Sequence, residues 1–234
     1  MGVKRTLSRW GTNWVAGNVV RNNMPQIATR GADQFVSKAI DGTSGFPGAR
    51  DVARKALQRT HDVDDAVTAV IEQHVRLAGL QGFVTNLGGV VTMPVAIPAN
   101  LAGIAMVQLR MSAAIAHLRG YDVADPRVRS AAVTTLLGER NVTQARRQGS
   151  LSYTPHRLIT SGGEIPAHTA DQVSAAVISD LVGRVTGKYA TLSIARRVPV
   201  LGGAVSAGVD ALSTQSVGRY ADREFPPRLM VEQA

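Results

Sequence analysis

The sequence predicts an all-α protein, a single-domain helical bundle with an apolar helical hairpin that glycines and prolines interrupt. Three observations support this prediction. Apolar residues recur at spacings of three and four along most of the 234-residue chain, as on one face of a helix. No segment alternates apolar and polar residues in the manner of a half-buried strand. Aromatic residues, which are enriched in strands, make up only 4% of the chain, so the core must consist of small aliphatic side chains.

Residues 1–24 are predicted to contain a basic amphipathic helix, over residues 3–20. Its apolar face includes Leu7, Trp10 and Trp14, and its cations are Lys4, Arg5 and Arg9. No acidic residue precedes Asp33. Tryptophan favours the membrane interface, and a helix of this composition lies among the lipid headgroups without spanning the bilayer. The alternative is an ordinary helix whose tryptophans pack on the protein core.

A helical domain is predicted over residues 25–225, with residues 226–234 as a C-terminal tail. Its first three helices are expected from Pro25 to about Ile40, from about Ala49 to Arg59, and from a cap at Asp62 or Asp64 through Arg76. The stretch 41–48, Asp-Gly-Thr-Ser-Gly-Phe-Pro-Gly, is rich in turn residues and separates the first two.

Residues 77–109 contain neither a charge nor a histidine. We expect two helices here, one ending near Gly88 and the other running from Pro98 to Gly120, because two prolines four residues apart interrupt a helix. A membrane-spanning helix needs about 20 apolar residues in continuous helix. The segment is therefore a buried hairpin of the core, a re-entrant hairpin that dips into lipid or, least in keeping with the prolines, a true span.

The remaining half of the chain, after Gly120, is predicted to hold three more helices. Asp125 and Pro126 are a cap and a first-turn proline for a helix that ends near Gly138. Polar residues 139–169 are expected to form a loop or mobile insertion. The last two helices are expected from Asp171 to about Arg197, where Pro199 stops the first, and from Leu201 to about Phe225. The final helix has a smooth face of small residues, Gly203, Ala207 and Ala211, which favours close helix packing.

Composition excludes several classes of site. The chain contains no cysteine, which rules out disulfides, thiolate zinc sites and a cysteine nucleophile. No secretory signal is visible, so we expect a cytoplasmic protein. The net charge of +9 favours an anionic membrane surface or an acidic partner. No recognition fold for nucleic acid is apparent, and we expect neither a cofactor nor a metal site.

The candidate site residues are polar groups close to or within the apolar helices. An arginine within an apolar helix must be paired, and Asp122 or Asp210 is the natural partner of Arg110. Gln108 lies two residues earlier. His74 and His117 lie on helices that flank the uncharged segment, and one interpretation has them facing each other. We interpret His74, Asn100, Gln108, Arg110 and Asp210 as ligand-binding or buried polar residues. No catalytic motif is present, so catalytic residues stay unassigned.

Several short blocks resemble the EcsC protein family. They are Gly88-Gly-Val-Val-Thr-Met-Pro-Val-Ala-Ile-Pro-Ala-Asn100, Gln108-Leu-Arg-Met, Gly120-Tyr-Asp and Val198-Pro-Val-Leu-Gly-Gly203, the last followed by Asp210, Thr214, Gly218, Ala221 and Phe225. The resemblance covers about residues 50–225, leaving out 139–169. Asn100 stands where the family commonly has an acid, which makes a proton or metal role there doubtful. The resemblance implies an all-α fold, bacterial origin and association with membranes, and it supplies no catalytic residues.

Together these patterns predict a peripheral membrane-associated accessory protein at the inner face of the cell membrane. It would engage lipid or a membrane complex of the transporter type. The alternatives are a soluble helical module that binds a hydrophobic small molecule, and an enzyme of unknown type with Arg110 or His74 in its pocket. The sequence does not determine the oligomeric state.

Overall fold

A computed structural model describes residues 24–86, 93–161, 166, 168–192 and 199–228. The chain divides into two compact units, Met1–Gln34 and Phe35–Ala234, each considered by itself. In the first unit, residues 24–34 are the start of helix α1. The predicted amphipathic helix over residues 3–20 lies outside the described residues.

The described residues are helical almost throughout. The helices are α1 (Met24–Asp41), α2 (Ala49–Thr60), α3 (Val63–Asn86), α4 (Met93–Leu118), α5 (Pro126–Thr135), α6 (Gly138–Arg147), α7 (Pro155–Thr160), α8 (His168–Leu192) and α9 (Pro199–Glu224). Within these ranges no strand occurs, and the sole β-type pairing is an isolated bridge between Thr43 and Phe46. The all-α prediction is confirmed.

Local capping signals set several boundaries where the sequence predicts them. Helix α2 ends at His61, whose φ of 59° is left-handed, and the Asp62 carboxylate accepts a 2.9 Å hydrogen bond from the Asp65 N–H at the start of α3. Asp125 caps α5 in the same way. Helix α4 ends with Gly120 at φ 89° and a Tyr121 N–H bond to the Ala116 carbonyl, the Schellman arrangement that favours glycine.

Helix α4 begins at Met93, five residues before the predicted start at Pro98. Pro94 lies in its first turn, where backbone N–H groups have no partner inside the helix, so proline is tolerated. Pro98 removes one further helical hydrogen bond and does not end the helix. The two-helix reading of residues 77–109 is otherwise confirmed, with α3 ending at Asn86.

The prediction of a loop over residues 139–169 is wrong, because α6 and α7 lie within it. Glu139 in the first turn of α6 and two arginines in its last turn complement the helix dipole, and Val142 buries its inner face. Thr154 caps α7 ahead of Pro155 and accepts the Arg157 N–H at 3.2 Å. This cap and proline repeat the signal at Asp125 and Pro126.

Helix α4 forms the centre of the second unit and packs on α2, α3, α5, α8 and α9. Residues 107–116 of α4 are buried without interruption. Helix α3 packs most extensively on α9. The contact between Gly79 and Ala207 and the one between Ile71 and Gly218 run in opposite directions along the two chains, so α3 and α9 are antiparallel. The C-terminus of α3 and the N-termini of α4 and α9 therefore share one end of the bundle.

Pro199 opens α9, whereas the sequence predicted that it stops the preceding helix and that α9 begins at Leu201. Proline suits the first helical position because its fixed φ is already helical. Helix α8 begins at His168, three residues before the predicted Asp171. Its predicted end at Arg197 lies outside the described residues.

Candidate functional site

The shared end of α3, α4 and α9 contains no charged residue in segments 77–86, 93–107 and 199–209, and we call these segments the uncharged end. Close backbone contacts hold its helices together. A Cβ placed on Gly79 would lie 3.7 Å from the Ala207 carbonyl oxygen and 3.8 Å from the Ala211 Cβ. The Gln81 side chain packs directly on Gly103 of α4. The predicted close packing of α9 is thus confirmed at Ala207, while the side-chain position of Gly203 is not described.

Large apolar side chains are exposed where α3 and α9 leave the core. Leu80 of α3 is 64% exposed and Leu212 of α9 is 67% exposed. Leu77 and Val209 are exposed beside them. These four residues, which we call the apolar rim, lie at the level where Gly79 meets Ala207 and Ala211. Clustered exposed leucines rather than scattered ones mark a contact surface.

The opposite end of the bundle is charged. The Arg119 guanidinium bonds to Asp64 at 2.5 Å and to Asp222 at 2.6 Å, which joins the start of α3 to the end of α9. Arg223 bonds to Glu139 of α6 at 2.5 Å. Ion pairs that join different helices thus lie at this end of the second unit, and the apolar rim lies toward the other.

A buried polar layer lies just inside the uncharged end. Gln108 of α4 donates from Nε2 to the hydroxyls of Ser213 at 3.3 Å and Thr214 at 3.2 Å. Asp210, one turn before Thr214, is buried too. These contacts explain why Gln108 is tolerated in an apolar helix, because a buried amide needs partners. Thr214 is not among the site residues predicted from the sequence. Its spacing of four from Asp210 could have indicated it, because residues four apart lie on the same face of a helix.

His74 of α3 is also buried, with only 1% of its surface exposed. Its Nδ1–H donates to the Val70 carbonyl at 2.8 Å. Its pKa is lowered to about 4, chiefly by burial; the Val70 hydrogen bond opposes this shift, and the positive charge of Arg110 adds to it. The imidazole is therefore neutral at pH 7. His117 is exposed, so the predicted facing of these two histidines is wrong.

Arg110 is buried as predicted, with 4% of its surface exposed, but its partner is not a carboxylate. Asp122 pairs instead with Arg50 at 3.0 Å. Within the described residues, no carboxylate oxygen lies within 4.0 Å of the Arg110 guanidinium.

The contacts of the Arg110 guanidinium are the Pro47 carbonyl, 3.4 Å from Nη1, and the Phe46 ring, whose centroid is 5.3 Å away. Burial lowers the pKa of Arg110. Phe46 carried no sequence signal, because a contact across 64 positions has no local pattern.

Other predicted site residues are not brought into this region by the described structure. Asn100 belongs to α4, but its side-chain position is not described. The predicted membrane-binding residues lie outside the described residues; they are Lys4, Arg5, Leu7, Arg9, Trp10 and Trp14. In the described part of the chain, no three His, Asp or Glu residues are grouped so that they could hold a metal ion.

Among the described helices, α4 alone is long and apolar enough to cross a membrane, over Leu101–Leu118. This stretch is 72% buried inside the protein. Such burial is typical of a core helix, so the hydropathy of α4 by itself does not indicate a span.

The EcsC protein family model matches residues 18–230. The match includes residues 139–169, which the sequence resemblance had left out. No curated protein and no solved structure matches the chain significantly.

Proposed function

The chain belongs to the EcsC protein family, and from that premise we propose that it is a peripheral membrane-associated accessory protein whose uncharged end enters one leaflet of an anionic bilayer. The observation that carries this proposal is the apolar rim, Leu77, Leu80, Val209 and Leu212, which lies at the inner boundary of the uncharged end. Burying a leucine removes apolar area from water and contributes about 1.5–3 kcal/mol when burial is complete. Four exposed residues of this kind supply a substantial driving force toward lipid.

The segments of the uncharged end are too short to cross a bilayer. Its segments contain 10, 15 and 11 residues of helix. At a rise of 1.5 Å per residue they extend about 15–22 Å, while the hydrocarbon core of a whole bilayer is about 30 Å thick. The first charged residue of α9 is Asp210, and it is buried inside the protein. The proposed mode is therefore a dip into one leaflet, the re-entrant alternative for residues 77–109, rather than a span.

The charge of the chain has the right sign for this partner. The net charge is +9, and Arg196 and Arg197 lie just before α9 in the sequence. Each basic residue close to an anionic surface contributes roughly 1 kcal/mol. The N-terminal residues Lys4, Arg5 and Arg9, with Trp10 and Trp14, remain a second proposed anchor. This charge favours the anionic inner face of the cell membrane as the location.

The test is sedimentation of the purified chain with vesicles of phosphatidylglycerol and phosphatidylcholine. Leu80→Asp and Leu212→Asp place charges on exposed positions, so we expect both variants to fold normally and to bind at least tenfold more weakly. Leu57→Asp on α2 is the matched control, because Leu57 is also exposed but belongs to a helix outside the uncharged end. Equal binding of all four proteins would overturn the proposed insertion of the uncharged end.

The N-terminal anchor has its own test. Deleting residues 1–22 should weaken vesicle binding, and high salt should weaken the binding of the full chain, while the melting temperature stays unchanged. A lower melting temperature together with unchanged vesicle binding would assign Trp10 and Trp14 to packing on the protein.

A further inference from the structure

Arg110 is a buried cation without a counter-ion among the described residues. A guanidinium carries five N–H donors. The structure gives it one acceptor, the Pro47 carbonyl at 3.4 Å, which is longer than the usual range for such a bond. Its Nε–H is buried and has no acceptor among the described residues. Native proteins rarely leave a buried charged donor in this state, because the lost solvation is not recovered.

The groups packed around Arg110 do not neutralise it. His74 of α3 is neutral, and its Nδ1–H is already donated to the Val70 carbonyl. The ionised groups described on α2, which packs against α4, include the cations Arg50 and Arg54, and these are paired with Asp122 and Asp51. The positive charge at Arg110 is therefore available to a ligand.

The outer side of the guanidinium is covered by a single aromatic ring. Phe46 stacks on it while remaining 55% exposed to solvent. The turn that carries Phe46 is closed by two 2.9 Å bonds between Thr43 and Phe46, with Gly45 at φ 91° in its third position. A Cβ on Gly48 would meet the backbone of Asp41, so the base of the loop is tightly packed. The ring can rotate into solvent about its own side-chain torsions without displacing this backbone.

We propose that Arg110 anchors a binding site for an oxyanion, a phosphate or carboxylate group, and that the Phe46 ring covers this site when it is empty. The guanidinium fork matches two oxygens of such a group with paired charge-assisted hydrogen bonds. An arriving anion takes the place of the ring and provides the acceptor that Nε lacks. A shallow depression of about 420 Å³ lies outside the loop. The two carboxylates that line it, Asp41 and Asp51, are paired with Arg129 and Arg54.

The oxyanion can come from a lipid headgroup or from a free phosphate compound, and two arms of one experiment separate these sources. In the first arm, inorganic phosphate is titrated into the full chain in a calorimeter. In the second, phosphatidylglycerol vesicles replace phosphate. The proteins are wild type, Arg110→Met and a matched control, Arg146→Met, which alters an exposed arginine on α6. We expect saturable binding that Arg110→Met weakens at least tenfold and Arg146→Met leaves unchanged.

An Arg110-dependent signal with phosphate identifies a free anion as ligand, and one found with vesicles alone identifies a headgroup. Binding that does not depend on Arg110 in either arm, or no binding in both, overturns the proposal. A second measurement does not require an Arg110 variant. Phe46→Trp places a fluorophore on the guanidinium, and its emission, after subtraction of the unsubstituted protein, should change as phosphate or vesicles bind. An unchanged emission would contradict the covering role of Phe46.

This site does not rest on the proposed membrane function. If the chain binds phosphate through Arg110 but does not bind vesicles, the result contradicts the membrane proposal and supports the oxyanion site. Vesicle binding that needs Leu80 and Leu212 but not Arg110 would do the reverse.

Discussion

Replacing Arg110 by methionine is expected to stabilise the protein in a buffer without phosphate or carboxylate. The variant loses one long hydrogen bond to Pro47 and the stacking on Phe46. These contacts contribute at most about 1 kcal/mol each. It also removes a buried cation whose desolvation costs several kcal/mol, and no carboxylate of the described residues is left unpaired. Methionine is flexible enough to fill the space. The expected net gain in the free energy of unfolding is about 1–3 kcal/mol.

Urea unfolding followed by circular dichroism measures this change, with Arg146→Met as the control for an exposed arginine. The unfolding midpoint of Arg110→Met should rise while the slope stays unchanged. If the variant instead loses about 3 kcal/mol or more, Arg110 has a buried carboxylate partner. Such a loss would contradict the structural basis of the oxyanion site.

Three further predictions, made with four substitutions, test the fold. The folded pKa of His74, about 4, lies below its unfolded value of 6.5, so its contribution to stability is complete above pH 6.5 and is lost as the pH falls toward 4. The free energy of unfolding should therefore fall by about 3 kcal/mol across that range. Urea unfolding measures this fall, which should disappear in His74→Gln. Gly208→Ala on the exposed face of α9 should raise the free energy of unfolding by about 0.5–1 kcal/mol. Gly218→Val should lower it by about 1–3 kcal/mol, because a Cβ at this position lies 3.0 Å from Ile71. Equal effects of the two variants on the melting temperature would refute this packing. Asp125→Ala should cost about 1 kcal/mol through loss of the α5 cap, and an unchanged urea midpoint would show that the cap does not contribute.

Sequence signals with a local physical cause predicted most of the fold. The caps at Asp62 and Asp125 and the left-handed Gly120 act within one turn of chain, so their residues alone indicate the boundary. Thr154 and Pro155 carry the same signal as Asp125 and Pro126, and it was outweighed by the polar composition of residues 139–169. The start of α4 was misplaced because a proline in the first turns of a helix is tolerated, and sequence alone does not say which turn it occupies.

The candidate site was only partly predictable. Burial of Gln108 and Arg110 follows from their position in an apolar helix. Their partners do not, because the order of helices around α4 decides which groups face them. That order places Thr214 against Gln108 and the 42–48 loop against Arg110, while Asp122 forms an ion pair with Arg50.

The measurement that tests the central claim most directly is the depth of Leu212 in a bilayer. The chain contains no cysteine, so Leu212→Cys and the control Leu57→Cys each carry one spin label without further changes. With phosphatidylglycerol vesicles, the label at 212 should become accessible to oxygen and inaccessible to a water-soluble nickel chelate, while the label at 57 should stay accessible to the chelate. Equal accessibility of both labels to the chelate, with and without vesicles, would contradict the entry of the uncharged end into lipid.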